Sequence, residues 1–202
     1  EKMLNELGLH PGAVVMDPCC GTGVFLYAAQ QYGLHQLYGV DRDPKVIDFC
    51  RQHLQGIVFT TADSIGPSAH SVLRAAGMPV QPDVVIGNPP FVSAAGGAAL
   101  SSDSAFRSKV GQCGGNLFVA ALLRAFELVR PGGVISYIVP KNVLHVAGYR
   151  ALRRHLLSEK TILSIIDLGA YFKNVRGEQI VLTLRNCPPA PGHTIQLKRL
   201  MN

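Results

Sequence analysis

Two short segments concentrate the reactive side chains of this sequence. Asp17-Pro18-Cys19-Cys20-Gly21-Thr22-Gly23 joins an apolar run to a helical pattern. Its glycines let the backbone approach a ligand closely, and the helix that follows opens with unpaired N–H groups. An acid beside such a loop would repel a pyrophosphate, but Asp17 can pair with the ammonium of an amino-acid-like cofactor. A nicotinamide dehydrogenase would need a third glycine where Leu26 stands. The second segment is Asn88-Pro89-Pro90-Phe91. An exocyclic amine on an aromatic ring is a poor nucleophile, because its lone pair is delocalised into the ring. Two acceptors aimed at its hydrogens draw the nitrogen toward tetrahedral geometry. The Asn88 side-chain oxygen and the Pro89 carbonyl can supply them, and Pro89 and Pro90 stiffen the backbone that holds them. Phe91 offers a face on which a ring can stack. The plainer alternative is a loop turn with Phe91 in the core.

Two further acids extend the first segment. Asp41 ends a second apolar run, where an acid can accept from both ribose hydroxyls, and Arg42 follows it directly. Asp63, with Ser64, ends a third run, where it can accept from an adenine amino group. Each of these acids alone can equally be a helix cap. Three at successive strand ends, beside a glycine loop, point to one cofactor site.

The elements that must position these residues alternate along the chain. Strands are expected at 13–16, 36–40, 56–60, 83–86 and 134–139, and helices at 24–32, 44–54, 116–129 and 149–157. Segments 162–167 and 179–184 predict a terminal hairpin, and 194–199 a further strand. The helix at 116–129 reads as amphipathic, closed by Arg130-Pro131-Gly132-Gly133. Alternation of this kind predicts an α/β, Rossmann-like fold: a mostly parallel seven-stranded sheet, helices on both faces, and an antiparallel C-terminal strand. The loops at 17–23, 41–43, 61–65 and 87–91 then share the carboxyl rim of the sheet, where such folds bind ligands. Residues 92–113 are rich in Ala, Gly and Ser and read as one long loop.

The segments DPCCGTG, YGVDRDP, TTADSI, VVIGNPPF, NLFVAALLRAFELVRPGG and VISYIVPKNVL resemble, in order, the motifs of DNA adenine-N6 methyltransferases. The cofactor loop precedes NPPF, as in the gamma arrangement of type I modification subunits and fused restriction-modification enzymes. Residues 165–169, 171–172 and 177–182 resemble the same group. The resemblance implies an S-adenosylmethionine-dependent methyltransferase fold and methyl transfer to N6 of adenine in DNA. It implies that Asp17 and the 18–23 backbone, including Pro18, Cys19, Cys20, Gly21 and Gly23, hold the methionine part of the cofactor. Asp41 with Arg42 would take the ribose, and Asp63 with Ser64 the adenine. Asn88, Pro89, Pro90 and Phe91 would take the target base, with Phe172 as a second aromatic. A base in such a pocket must leave the duplex. Transfer from a sulfonium then depends on in-line placement rather than a strong base. Protein-glutamine and ribosomal-RNA guanine methyltransferases resemble the same Asn-Pro-Pro device. A module that keeps the fold for DNA binding or assembly is the alternative of another class.

Bulk properties agree. The chain has 202 residues, 48% of them hydrophobic, enough for one catalytic domain spanning 1–202. A net charge of +6 suits a polyanionic partner. Lys173 and Arg176, and Arg107 and Lys109 in the long loop, are the candidate phosphate contacts. Arg150, Arg153, Arg154 and Lys160 read as a solvated face. Five cysteines without metal spacing predict reduced thiols, no metal and a cytoplasmic setting. No apolar run reaches the roughly 18 residues of a membrane span. The chain begins at Glu1, not Met, and is expected to be a piece lacking the segment that covers part of the cofactor and the target-recognition domain. A specificity or restriction subunit, or a fused domain, is the expected partner.

Overall fold

Each apolar run of the amino-terminal half is followed by a proline or glycine that stops it and then by a helix that returns the chain. In the computed structural model, which describes residues 9–66, 69–93, 103–169 and 177–200, these become β1 (Val14–Asp17), α1 (Val24–Gln31), β2 (Gln36–Asp41), α2 (Pro44–His53), β3 (Val58–Thr61), α3 (Ala69–Ala75) and β4 (Val84–Gly87). The remainder is α4 (Ser104–Gln112), α5 (Leu117–Leu128), β5 (Val134–Pro140), α6 (Arg150–Glu159), β6 (Thr161–Gly169), β7 (Gln179–Arg185) and β8 (Gln196–Arg199). Asp43 starts α2 by accepting from the Lys45 N–H at 2.9 Å, with Pro44 in the first turn.

The strands form one sheet in the order β3-β2-β1-β4-β5-β7-β6-β8. Pairs β1–β2, β2–β3, β1–β4, β4–β5 and β6–β8 are parallel. Strand β7 runs antiparallel to both β5 and β6. Order reverses between β1 and β4, so the loops after β1, β2, β3 and β4 meet on one rim beside the switch point.

Three expectations need correction. The sheet has eight strands rather than seven, and the antiparallel strand is β7, with β8 following it on the outer edge beside β6. Residues 104–112, expected in a loop, form α4, capped by the Asp103 carboxylate accepting from the Phe106 N–H at 2.9 Å. Phe106, Val110 and Cys113 carry the helical spacing, and they pack on α5. For that reason α5 is not amphipathic: every residue from Leu117 to Leu128 except Glu127 is buried.

The two faces are filled by different helices. Leu26 and Ala29 of α1 and Ile47 and Cys50 of α2 pack with Val15, Val84 and Ile86. Phe118 and Leu122 of α5 and Leu152 and Leu156 of α6 pack with Val85, Ile135 and Val139. Alternate residues of β4 and β5 thus feed opposite cores, as the pleat requires, and the rim between the cores is held by both.

Candidate active site at the carboxyl rim

Asp17 ends β1 with its carboxylate turned inward and 1% exposed. Its Oδ1 accepts from the Cys19 N–H at 3.0 Å, and Oδ2 is buried without a partner. Burial, and secondarily the Asp41 charge, push its pKa up to about 7, while the Cys19 N–H opposes them. The space it occupies exists because residue 87 is glycine: a Cβ there would lie 2.5 Å from Asp17 Oδ1, and φ at Gly87 is +148°. Gly23 begins α1 at φ +76°, which a side chain would resist.

Asp41 ties the loops together. Its Oδ2 accepts from the Gly21 N–H and its Oδ1 from the Asp43 N–H, both at 3.0 Å. The Cys20 N–H donates to the Val40 carbonyl at 2.8 Å, locking the glycine loop to β2. Asp63 Oδ1 accepts from the Ile65 and Gly66 N–H groups at 3.0 and 2.9 Å, so this acid shapes its own turn. The Ser64 hydroxyl donates to the Pro18 carbonyl and braces the loop. The Cys19 thiol is pushed up to about 12 by burial and then by Asp17, and burial raises Cys20 further still. Both thiols stay protonated and act as small packing groups.

Asn88 is exposed at the rim, Pro89 is buried, and Pro90 and Phe91 are half-buried. The Phe91 ring meets Phe118 edge-on at 6.3 Å. Asn116 holds this segment: its Nδ2 donates to the Phe91 carbonyl at 3.0 Å, while its Oδ1 caps α5 by accepting from the Phe118 N–H at 3.2 Å. The Leu117 N–H adds a bond to the Val92 carbonyl at 2.9 Å. The sequence placed Asn116 inside the helix expected at 116–129; it is the N-cap of α5, and its bond to Phe91 needs the tertiary contact.

A cavity of about 270 Å³ joins the segments. Pro18, Cys19, Asp41, Arg42, Asp63 and Ser64 line it from the β1, β2 and β3 loops, and Asn88 and Pro90 from the β4 loop. Ala62, Ile65 and Leu117, which the sequence did not single out as site residues, complete the wall. Asp17, Pro89 and Phe91 are not among its lining residues, though each adjoins one that is. Arg107 and Lys109 are exposed on α4. Lys109 bears electrostatically on Glu159 and Lys160, beside the amino-terminal end of β6 and away from the rim, so it is not beside the tetrapeptide. Tyr171, Phe172, Lys173 and Arg176 lie outside the described residues. Among the described residues no cluster of His, Cys, Asp and Glu is arranged to hold a metal ion, and no helix is long and apolar enough to cross a membrane.

Comparison with known proteins follows the same lines. Residues 75–172 match the Eco57I restriction-modification methylase family. The type II methyltransferase M.VspI of Vibrio sp. (strain 343) is 26% identical over 185 residues, covering 89% of this chain and 44% of that protein. The chain thus spans less than half the length of that relative. Among solved structures, a Listeria monocytogenes protein described as a class I S-adenosylmethionine-dependent methyltransferase superposes with a TM-score of 0.76 at 17% identity, covering 98% of this chain and 62% of that one. The methyltransferase subunit of a type I restriction-modification system from Streptococcus thermophilus superposes at 0.71 and 20% identity, covering 98% and 44%. The chain therefore has the fold of the class I S-adenosylmethionine-dependent methyltransferases and carries, over residues 75–172, the sequence signature of the Eco57I restriction-modification methylases.

Proposed function

We propose that this chain is the catalytic domain of a DNA adenine-N6 methyltransferase of restriction-modification type. The observation that carries the reading is one cavity walled by Asp41 and Asp63 on one side and by Asn88 and Pro90 on the other. A nucleoside cofactor and an aromatic amine can meet there. S-Adenosylmethionine fits the donor set: Asp41 and Asp63 are acceptors for hydroxyl and amino groups, and the orphaned Asp17 Oδ2 behind Pro18 suits an ammonium. When bound, that cofactor supplies an electrophilic methyl on a positively charged sulfur.

The chain's own residues do the rest. Asn88 Oδ1 and the Pro89 carbonyl accept the two amine hydrogens and localise the lone pair on nitrogen. Phe91, fixed by Phe118 and by the Asn116 bond, stacks against the flipped ring. The buried Pro89 prevents the acceptors from rearranging, so their orientation needs no reorganisation during transfer. DNA is the partner, met through phosphate contacts such as Lys173, Arg176 and Arg107, and a specificity or restriction subunit or fused domain selects the target. The five unpaired cysteines suit a reducing cytoplasm.

The test is transfer of labelled methyl from the cofactor to unmethylated bacterial DNA, with the product nucleoside identified after digestion. Label in N6-methyladenine is expected, and Asn88→Ala should lower transfer by roughly 10²–10³ while cofactor affinity stays within about twofold. Label confined to protein or RNA would refute the proposal.

A further inference from the structure

A second buried polar group shares the Asp17 corner. Tyr137 is 1% exposed, and its hydroxyl, like Asp17 Oδ2, has no hydrogen-bond partner. Gly87 and Tyr137 are register partners on β4 and β5. Val85, Ile135, Tyr137 and Val139 share one core with Phe118, so Gly87 and Tyr137 face the same side of the sheet. The Asp17 carboxylate sits over Gly87, where a Cβ would be 2.5 Å from its Oδ1. The tyrosine therefore rises from the strand next to the carboxylate. Burial holds its hydroxyl well above its ordinary pKa, and the nearby Asp17 carboxylate adds to this.

A buried hydroxyl and a buried carboxylate oxygen that both lack a partner leave the corner unsatisfied, and a buried unpaired polar group is costly. They remain separate. A small group with several N–H donors, seated between them, satisfies both oxygens at once. An ammonium has three such donors. Pro18 and Cys19, the next residues after Asp17, and Asn88, the next after Gly87, line the cavity.

We propose that Tyr137 is a cofactor-binding residue, its hydroxyl oxygen accepting one N–H of the cofactor's α-ammonium while Asp17 Oδ2 accepts another. The assignment rests on the cofactor reading above, and its test separates the two. Calorimetry on the full chain compares S-adenosylhomocysteine, which keeps the amino-acid end, with 5′-methylthioadenosine, which lacks it. Tyr137→Phe is expected to weaken the first about tenfold and to leave the second unchanged. An equal loss for both ligands marks Tyr137 as merely structural and overturns the assignment. No loss for either means the corner holds only a buried water and overturns it too. Failure of the wild-type chain to bind either ligand overturns the cofactor reading itself. Should Tyr137→Phe not fold, wild-type protein carrying fluorotyrosine gives the same answer. A buried tyrosine resonance must shift with S-adenosylhomocysteine and stay with methylthioadenosine; the absence of that difference refutes the proposal.

Discussion

Asp17→Asn is expected to stabilise the unliganded protein at neutral and alkaline pH while weakening its hold on the cofactor. The carboxylate ionises at about 7 in the fold against an ordinary 3.8, mainly because it is buried. The groups facing it are Cys19, Asp41 and Tyr137, and none is a cation. Below pH 3.8 the acid is protonated in folded and unfolded chains alike, and it costs nothing. Between 3.8 and 7 the unfolded chain releases the proton while the fold keeps it, so stability falls by about 1.4 kcal/mol per pH unit. Above 7 both forms are ionised and the loss is complete, at about 4 kcal/mol. Asparagine keeps the Cys19 N–H acceptor and carries no charge, so it escapes this dependence. Urea unfolding of both proteins at pH 5 and pH 8 measures the difference. The advantage of the variant should grow by about 3 kcal/mol between the two, with the melting temperature at pH 8 raised by roughly 8–16 °C relative to wild type. Saturating S-adenosylhomocysteine should reverse the order, since only the wild type offers a carboxylate to the ammonium. A stability gap that does not change with pH, or a variant less stable than wild type at pH 8, would refute the argument that Asp17 is held ionised in a dry corner.

Other outcomes follow from the same contacts. Wild-type affinity for S-adenosylhomocysteine should fall as pH drops below 7, by up to about tenfold per unit, while Asp17→Asn stays flat; titration calorimetry from pH 5.5 to 8 checks this. Gly87→Ala places a Cβ 2.5 Å from Asp17 Oδ1 at a φ that disfavours side chains. It should destabilise by about 1–3 kcal/mol and weaken cofactor binding together with stability, as thermal melts with and without ligand would reveal. Asn116→Ala loses both the α5 cap and the Phe91 tether. A stability loss of about 1–2 kcal/mol is expected, with turnover falling while cofactor affinity is kept. Unchanged turnover would show that the tether does not position the tetrapeptide.

Local chemistry accounts for most of what could be read in advance. Strands and helices at 14–17, 24–31, 36–41, 44–53, 84–87 and 134–140 announce themselves, because β-branched runs, helical spacing and proline or glycine stops are all local signals. The same holds for the acids at strand ends and for Asn88-Pro89-Pro90-Phe91, whose residue types and place after a strand are local features. Helix α4 escaped because its segment is poor in apolar residues, and Phe106, Val110 and Cys113 gain meaning only against α5. Once α4 covers it, α5 is buried nearly all round, and no periodicity in its own sequence distinguishes that from an amphipathic surface helix.

What the sequence by itself determined is the order of the strands along the chain, the placing of Asp17, Asp41 and Asp63 at strand ends, and the Asn88-Pro89-Pro90-Phe91 segment that follows the fourth strand. Tertiary structure alone decided how those groups are held. Asp41, Asp63 and Ser64 spend bonds on the loops they belong to, Asn116 reaches back to Phe91, and Asp17 is driven into a corner beside Tyr137. The reason is that burial and hydrogen-bond satisfaction depend on neighbours far apart in the chain. Asp17 turns inward only because β4 lies beside β1 in the sheet and carries a glycine where the carboxylate needs room, with Tyr137 as that glycine's register partner on β5.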